Sequence, residues 1–275
     1  MNRTNITFCP LASGSSGNCA FFSSPETNIL IDAGLSGIRI ETALEAINVN
    51  PKSLNAVFIT HEHSDHIGGA GVLARRYGVE IYATPGTWES MDRGGQLGKL
   101  KKEQRKTVYP GEYIDLRDIT VRPFAISHDS AQPVGYNIFY DDIKTTVATD
   151  LGEVCSEIEE NIKNSRILLL EANHDIDMLN HGPYPYQLKR RILGKRGHLS
   201  NVACGTTLAG LADSLHHVYL GHLSEENNTP ALAYETVKNI LEVLNIPVNA
   251  GMIGLQLYMA NRSSASRPCR LNTSK

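Results

Sequence analysis

Apolar residues fall in short runs along the first half of the chain. Ile6-Thr7-Phe8 and Cys19-Ala20-Phe21-Phe22 predict two strands on either side of the turn-rich stretch Ser13-Gly14-Ser15-Ser16-Gly17-Asn18. Asn28–Asp32 predicts another, stopped by Ala33-Gly34. From Ser36 to Asn48 the pattern changes: Ile38, Ile40, Ala43, Leu44 and Ile47 have the spacing of an amphipathic helix, closed before Pro51. Ala56-Val57-Phe58-Ile59 is again a strand. Ile67 to Tyr77 predicts a helix, with Ser64 as N-cap and Gly78 as stop. Further strands are expected at 79–83, in a series over 108–126 that turns at Pro110-Gly111, and at 134–139, 145–148, 167–170, 218–220 and 255–258. Helices are expected from Pro85 onward and over 152–161, 186–193, 200–212 and 231–244. There is no internal repeat of short period. The pattern predicts a single domain over 1–260, followed by a flexible polar tail over 261–275 that is rich in Ser, Arg and Asn.

Composition narrows the class. The 275 residues are 41% hydrophobic and 20% charged, as in an ordinary soluble globular protein. A net charge of -3 excludes a uniformly basic nucleic-acid binder and leaves room for a local basic patch. The five cysteines form no CxxC pair, so reduced thiols are expected, neither a disulfide framework nor a zinc knuckle. No stretch approaches a membrane span, and Met1-Asn2-Arg3-Thr4-Asn5 lacks the apolar core of a signal peptide. A cytoplasmic location without a membrane partner is the expectation. Oligomeric state is left open, a homo-oligomer included.

The chemistry concentrates at His61-Glu62-His63-Ser64-Asp65-His66, directly after an apolar strand. His61 and His63 at a strand end would point the same way, because extended side chains repeat every second residue. Asp65 and His66 sit where the chain turns into helix. Two ligand pairs on differently oriented backbone can serve two metal ions. Three later residues also close strands: His128 after 124–127, Asp150 after 147–149 and His222 after 218–221. Imidazoles and carboxylates without thiolate suit zinc, manganese or iron. Two such ions can share a hydroxide that forms near neutral pH.

His61-x-His63-x-Asp65-His66, followed in order by His128, Asp150 and His222, resembles the metallo-β-lactamase fold superfamily over about residues 4–260. Leu11–Asn18, Ser127–Tyr136, Ala148–Gly152 and Gly221–Asn228 are similar to its YycJ/WalJ branch, a bacterial group of double-strand DNA exonucleases. The resemblance implies an α/β fold, a four-layer αββα sandwich. It implies that His61, His63 and His128 hold one metal, that Asp65, His66 and His222 hold the other, and that Asp150 bridges them. It also implies that Asp32 supports the His-bearing loop. In phosphodiesterase members a His comparable to His198 lies over the metals, to bind phosphate or protonate the leaving oxygen.

Other residues follow from position. Glu171-Ala172-Asn173-His174-Asp175 should emerge on the ligand side, with Asn173 and His174 as substrate contacts or as a simple turn. Of the basic runs 99–106 and 189–196, the second leads to His198 and makes Arg196 a candidate substrate contact.

The leading expectation is a dinuclear metal-dependent hydrolase, a phosphodiesterase or DNA exonuclease. A metal-bridging hydroxide would attack phosphorus, oriented by Asp65, while His198 protonates the departing oxygen. A thioesterase or lactonase on the same scaffold is the alternative, since the same hydroxide attacks carbonyls. A non-catalytic metal- or nucleic-acid-binding module would have lost ligands, and none is missing.

Overall fold

A computed structural model describes residues 5–251 and 254–272. The strands in chain order begin with β1 (Asn5–Gly14), β2 (Gly17–Ser23), β3 (Asn28–Ile31), β4 (Ala56–Phe58), β5 (Glu80–Ala83), β6 (Arg105–Thr107) and β7 (Ile114–Leu116). They continue with β8 (Ile119–Ala125), β9 (Val134–Tyr140), β10 (Ile143–Ala148), β11 (Ile167–Glu171), β12 (His217–Gly221), β13 (Gln256–Met259) and β14 (Cys269–Asn272). The helices are α1 (Gly37–Ala46), α2 (Ser64–Ile67), α3 (Ala70–Tyr77), α4 (Pro85–Gly94), α5 (Ser156–Ile162), α6 (Ile176–His181), α7 (Tyr186–Ile192), α8 (Asn201–Leu211) and α9 (Pro230–Val243). No described helix is long and apolar enough to cross a membrane, and all five cysteines are free.

The described residues form two compact units. The first comprises residues 5–125, 130–143 and 261–272; the second comprises 126–129, 144–251 and 254–260.

The first unit holds a sheet of order β14-β1-β2-β3-β4-β5-β6. The Ser/Gly stretch is a hairpin turn: Gly14 faces Gly17 across Ser15 and Ser16. From β3 onward neighbours run parallel, with Ile31 opposite Phe58 and Phe58 opposite Tyr82. Parallel neighbours end at the same edge, so β3 and β4 deliver their following loops side by side. One face is closed by α1 and α3, with Phe21, Leu30, Val57, Ile59, Ile40 and Leu73 almost fully buried in a common core. β7, β8 and β9 form an antiparallel ladder. From β9, the buried Tyr136 hydroxyl donates to the Ile59 carbonyl at 2.7 Å.

The expected helix over 67–77 is broken in two. Gly69 donates its N–H to the Ala33 carbonyl at 2.7 Å, and a Cβ on Gly69 would stand 2.4 Å from the Leu35 carbonyl oxygen. This close backbone approach interrupts the helix at Gly68–Gly69. The residue before α2 is His63, and Ser64 is its first helical residue, not its cap. Gly78 does stop α3, at φ 75°.

Of the expected flexible tail over 261–275, residues 273–275 lie outside the described residues, and the described part, 261–272, is tied to the first sheet. Cys269–Asn272 pairs antiparallel with Asn5–Phe8, and Ser266 donates to Pro10 while Ser13 donates to Asn261. Local composition marked this segment as polar. Its strand partner lies more than 250 residues away in sequence, beyond any local signal.

In the second unit β10, β11, β12 and β13 are parallel. β11 is buried throughout, as a strand covered on both faces must be. Its in-register neighbours end together, so the residues just after β10 and β12 and the last residue of β11 meet at one edge.

Candidate functional site

In the first unit β4 ends at Phe58 and the chain bends at Thr60 before His61, so the strand itself does not carry His61 and His63 as expected. Their imidazoles nevertheless converge: His61 Nε2 and His63 Nδ1 are 3.0 Å apart, with the rings nearly perpendicular. They use opposite ring nitrogens, which simple alternation along a strand would not predict.

Asp32 organises this cluster. It follows β3 directly, is 2% exposed and sits in left-handed backbone at φ 61°. Its carboxylate accepts from the Thr60 N–H, from the Thr60 hydroxyl, both at 2.8 Å, and from His66 Nδ1 at 2.7 Å. Burial pushes the Asp32 carboxyl up, against the opposing charge and hydrogen bond of His66. Because the Thr60 hydroxyl gives its only proton to Asp32, its oxygen accepts from His61 Nδ1 at 3.0 Å. Both imidazoles therefore carry the proton on Nδ1 and present the Nε2 lone pair, the form that binds a metal.

Asn18 completes the cluster and was not singled out by sequence reasoning. Its side-chain amide lies 3.0 Å from His66 Nε2 and 3.3 Å from Asp65 Oδ2. Its carbonyl oxygen accepts from Gly14 at 3.0 Å. Gly34 makes this approach possible, since a Cβ there would lie 1.6 Å from the Asp65 carbonyl oxygen.

The second unit brings together His128, Asp150, His198 and His222, with Glu171 among them. Ligand-type atoms of Asp150, Glu171, His198 and His222 all lie within 4.8 Å of one another. Asp150 Oδ1 is 3.4 Å from His222 Nδ1 and 3.8 Å from both His128 Nε2 and His198 Nδ1. Asp150 and His222 repeat the backbone of Asp32, with φ values of 61° and 54°. Left-handed backbone costs a residue other than glycine on the order of 1 kcal/mol or more, and concentrates at functional sites. Here it turns three strand-end side chains sharply.

Glu171 is the residue sequence reasoning missed. It is fully buried, and both carboxylate oxygens are engaged. Oε1 accepts from His198 Nδ1 at 2.8 Å and from His222 Nδ1 at 2.7 Å. Oε2 accepts from the N–H groups of Leu151 and Leu199. Burial alone would raise this carboxyl, but His198 and His222 outweigh it and hold Glu171 well below the usual carboxylate range. Likewise burial opposes charge on His198, yet the Glu171 carboxylate holds His198 above its ordinary value. A signal was present: an acid closing a wholly apolar strand must find charged partners if buried.

His128 donates from Nδ1 to the Gly197 carbonyl at 3.2 Å, and burial lowers its pKa. His128 and His222 thus also present Nε2. The donor chemistry fits divalent metal: buried imidazoles with fixed tautomers, carboxylates, and no thiolate.

The remaining expected contacts have other surroundings. Asn173 is 5% exposed and donates its amide to the His222 carbonyl at 2.8 Å. His174 is 1% exposed, and burial pushes its pKa down to about 4. Both side chains are buried, so neither stands open to a substrate. Arg196 is exposed, with its Nε donating to the His128 carbonyl at 3.1 Å.

Comparison with known proteins agrees with this chemistry. Residues 27–222 match the beta-lactamase superfamily domain. The exodeoxyribonuclease WalJ of Streptococcus pneumoniae is 40% identical over 249 residues, spanning 90% of this chain and 93% of that protein. The exodeoxyribonuclease YycJ of Bacillus anthracis is 38% identical, spanning 86% and 89%. The crystal structure of the metallo-beta-lactamase fold protein YhfI from Bacillus subtilis superposes with a TM-score of 0.70 at 14% identity, covering 95% of this chain and 99% of that one. The fold is therefore the metallo-β-lactamase α/β sandwich expected from the sequence.

Proposed function

The chain belongs to the beta-lactamase superfamily, in the branch of the exodeoxyribonucleases WalJ and YycJ, and from that premise we propose that it is a metal-dependent phosphodiesterase acting on DNA. The observation that carries this reading is the Glu171–His198 pair beside Asp150 and His222. An imidazole whose pKa a buried carboxylate raises is a proton donor suited to a poor alkoxide leaving group.

By the family pattern His61, His63 and His128 would hold one divalent ion and Asp65, His66 and His222 a second, and Asp150 would serve as a ligand to both. The family pattern supports this pairing, and so does the presentation of Nε2 by His61, His66, His128 and His222. Zinc, manganese and iron all suit the donor set. Bound ions of this kind make a nucleophile of water at neutral pH and draw charge from the phosphoryl oxygens.

The chain's own residues supply the rest. Asp65, whose side chain is a quarter exposed, accepts a hydrogen bond from the attacking water and aims it. His198 keeps its Nδ1 proton on Glu171 and donates the Nε2 proton to the departing oxygen. Asp32 and Thr60 hold His61 and His66 in the ligating tautomer. Asn173 braces the backbone of His222. Exonucleolytic release of nucleotides is taken from the relatives.

The test offers the metal-loaded protein a bis-aryl phosphodiester, duplex DNA, single-stranded DNA, RNA, a lactone and a thioester side by side. Turnover of the phosphodiester and DNA is expected. Turnover of the lactone or thioester with inert phosphodiesters would overturn the proposal.

A further inference from the structure

Helix α7 is a structural oddity. It has seven residues, none of them buried, whereas so short a helix normally needs a packed face to persist. Tyr186 at its start is 74% exposed and Leu193 just past its end is 47% exposed. Between Gly182 and His198 there is no acidic residue, but there are five cations, at 189, 190, 191, 195 and 196, in a chain of net charge -3.

Polar ties hold the segment instead. Lys189 Nζ donates to the Asn180 carbonyl and Ser127 Oγ donates to the Lys195 carbonyl, both at 2.8 Å. His128 donates to Gly197, Arg196 donates back to the His128 carbonyl, and Arg191 pairs with Asp129. A run of positive charge is thereby pinned to the loop that carries His128, and it leads directly into His198. Asp129 and Glu153 offset part of this charge. On Arg190 and Tyr186 the pairing differs: the guanidinium carbon lies 5.9 Å from the centre of the ring. A cation beside an exposed aromatic face is suited to a phosphate with a base attached.

We propose that residues 182–197 form the grip for the sugar-phosphate backbone of the substrate strand, with Tyr186 stacking on an unpaired base. The inference rests on the DNA-phosphodiesterase reading and deepens it: the enzyme takes its strand locally single-stranded as it approaches His198. An acidic protein would satisfy the cations but has no use for Tyr186.

The experiment measures fluorescence anisotropy of a labelled single-stranded oligonucleotide with the full chain, in chelator to stop turnover. Lys189→Glu/Arg190→Glu is expected to weaken binding at least about tenfold near 0.1 M salt and to flatten the log–log salt slope by about 1.4. Tyr186→Ala is expected to weaken binding about tenfold and Tyr186→Phe to restore it, because stacking needs only the ring. With metal restored, all variants should hydrolyse the bis-aryl phosphodiester at the parent rate. Parent-like binding by the charge-reversal variant, or displacement by polyglutamate as readily as by DNA, would overturn the grip. Loss of small-substrate turnover in step with binding would do the same. A parent protein that binds the oligonucleotide here yet cleaves no phosphodiester would sink the activity and leave the grip; one that cleaves the small diester without binding DNA would do the reverse.

Discussion

His198 donates to Glu171 Oε1 at 2.8 Å, and the same oxygen receives His222 at 2.7 Å. One buried carboxylate therefore sets the tautomer of the proposed acid and of a proposed metal ligand together. Glu171→Gln keeps the shape and removes the charge that lifts His198. We expect turnover to fall about 10–100-fold, as for other residues that support a ligand, and the basic limb of the pH–rate profile to move to lower pH. An unmoved limb would separate Glu171 from control of His198.

The same pair makes metal-free stability depend on pH. Glu171 titrates lower in the folded chain, so its contribution is present above the unfolded value of about 4.3 and is lost as pH falls through the folded one. His198 titrates higher when folded, so its contribution is complete below about 6.5 and is lost as pH rises through the raised value. Urea melts of chelated protein should therefore show the greatest penalty for Glu171→Gln between those limits. A penalty that grows steadily above them would contradict the pairing.

Asp32 accepts three hydrogen bonds while 2% exposed. Asp32→Ala leaves these donors buried and unmatched, and we expect a loss of about 2–4 kcal/mol in chemical denaturation. Metal affinity, read by competition with a chromogenic chelator, should fall about 10–100-fold. Intact affinity would show that His61 and His66 hold their tautomers without Asp32.

Two glycine substitutions should differ in sign. A Cβ on Gly34 meets the Asp65 carbonyl oxygen at 1.6 Å, whereas a Cβ on Gly210 in α8 meets nothing within 4 Å. Gly34→Ala is expected to unfold or strip the Asp65–His66 turn, and Gly210→Ala to stabilise by about 0.5–1 kcal/mol. Thermal melts with metal analysis decide; a well-folded, metal-replete Gly34→Ala would refute the close-approach account.

Protein purified without added metal should contain about two divalent ions per chain, the count expected of a two-ion hydrolytic site. His63→Ala should abolish turnover with the fold retained by circular dichroism. His198→Ala should lower phosphodiester turnover far more than metal content. Equal loss of both would assign His198 to ligation.

Much of the site was legible because its spacing is local. His61, His63, Asp65 and His66 lie within six residues, and the other proposed ligands follow apolar runs. Strand ends can be read from hydrophobic runs, so Asp150 and His222 were identifiable, whereas Asp32 was marked by the family resemblance. Glu171 closes a strand too, but its role depends on two imidazoles 27 and 51 residues further along the chain. Asn18 was hidden in the same way: a turn residue by composition, it touches Asp65 and His66 across 47 and 48 residues.

The sequence by itself determined the types of the proposed ligands, their order along the chain and the strand ends that precede Asp150 and His222. These follow from residue identity and short-range periodicity. Tertiary structure alone decided which nitrogen each imidazole presents, which carboxylate supports and which could ligate, and that residues 269–272 close the first sheet. Those outcomes depend on hydrogen bonds between segments far apart in the chain. Burial makes such bonds obligatory, because a charge or donor shielded from water must find its partner inside the fold.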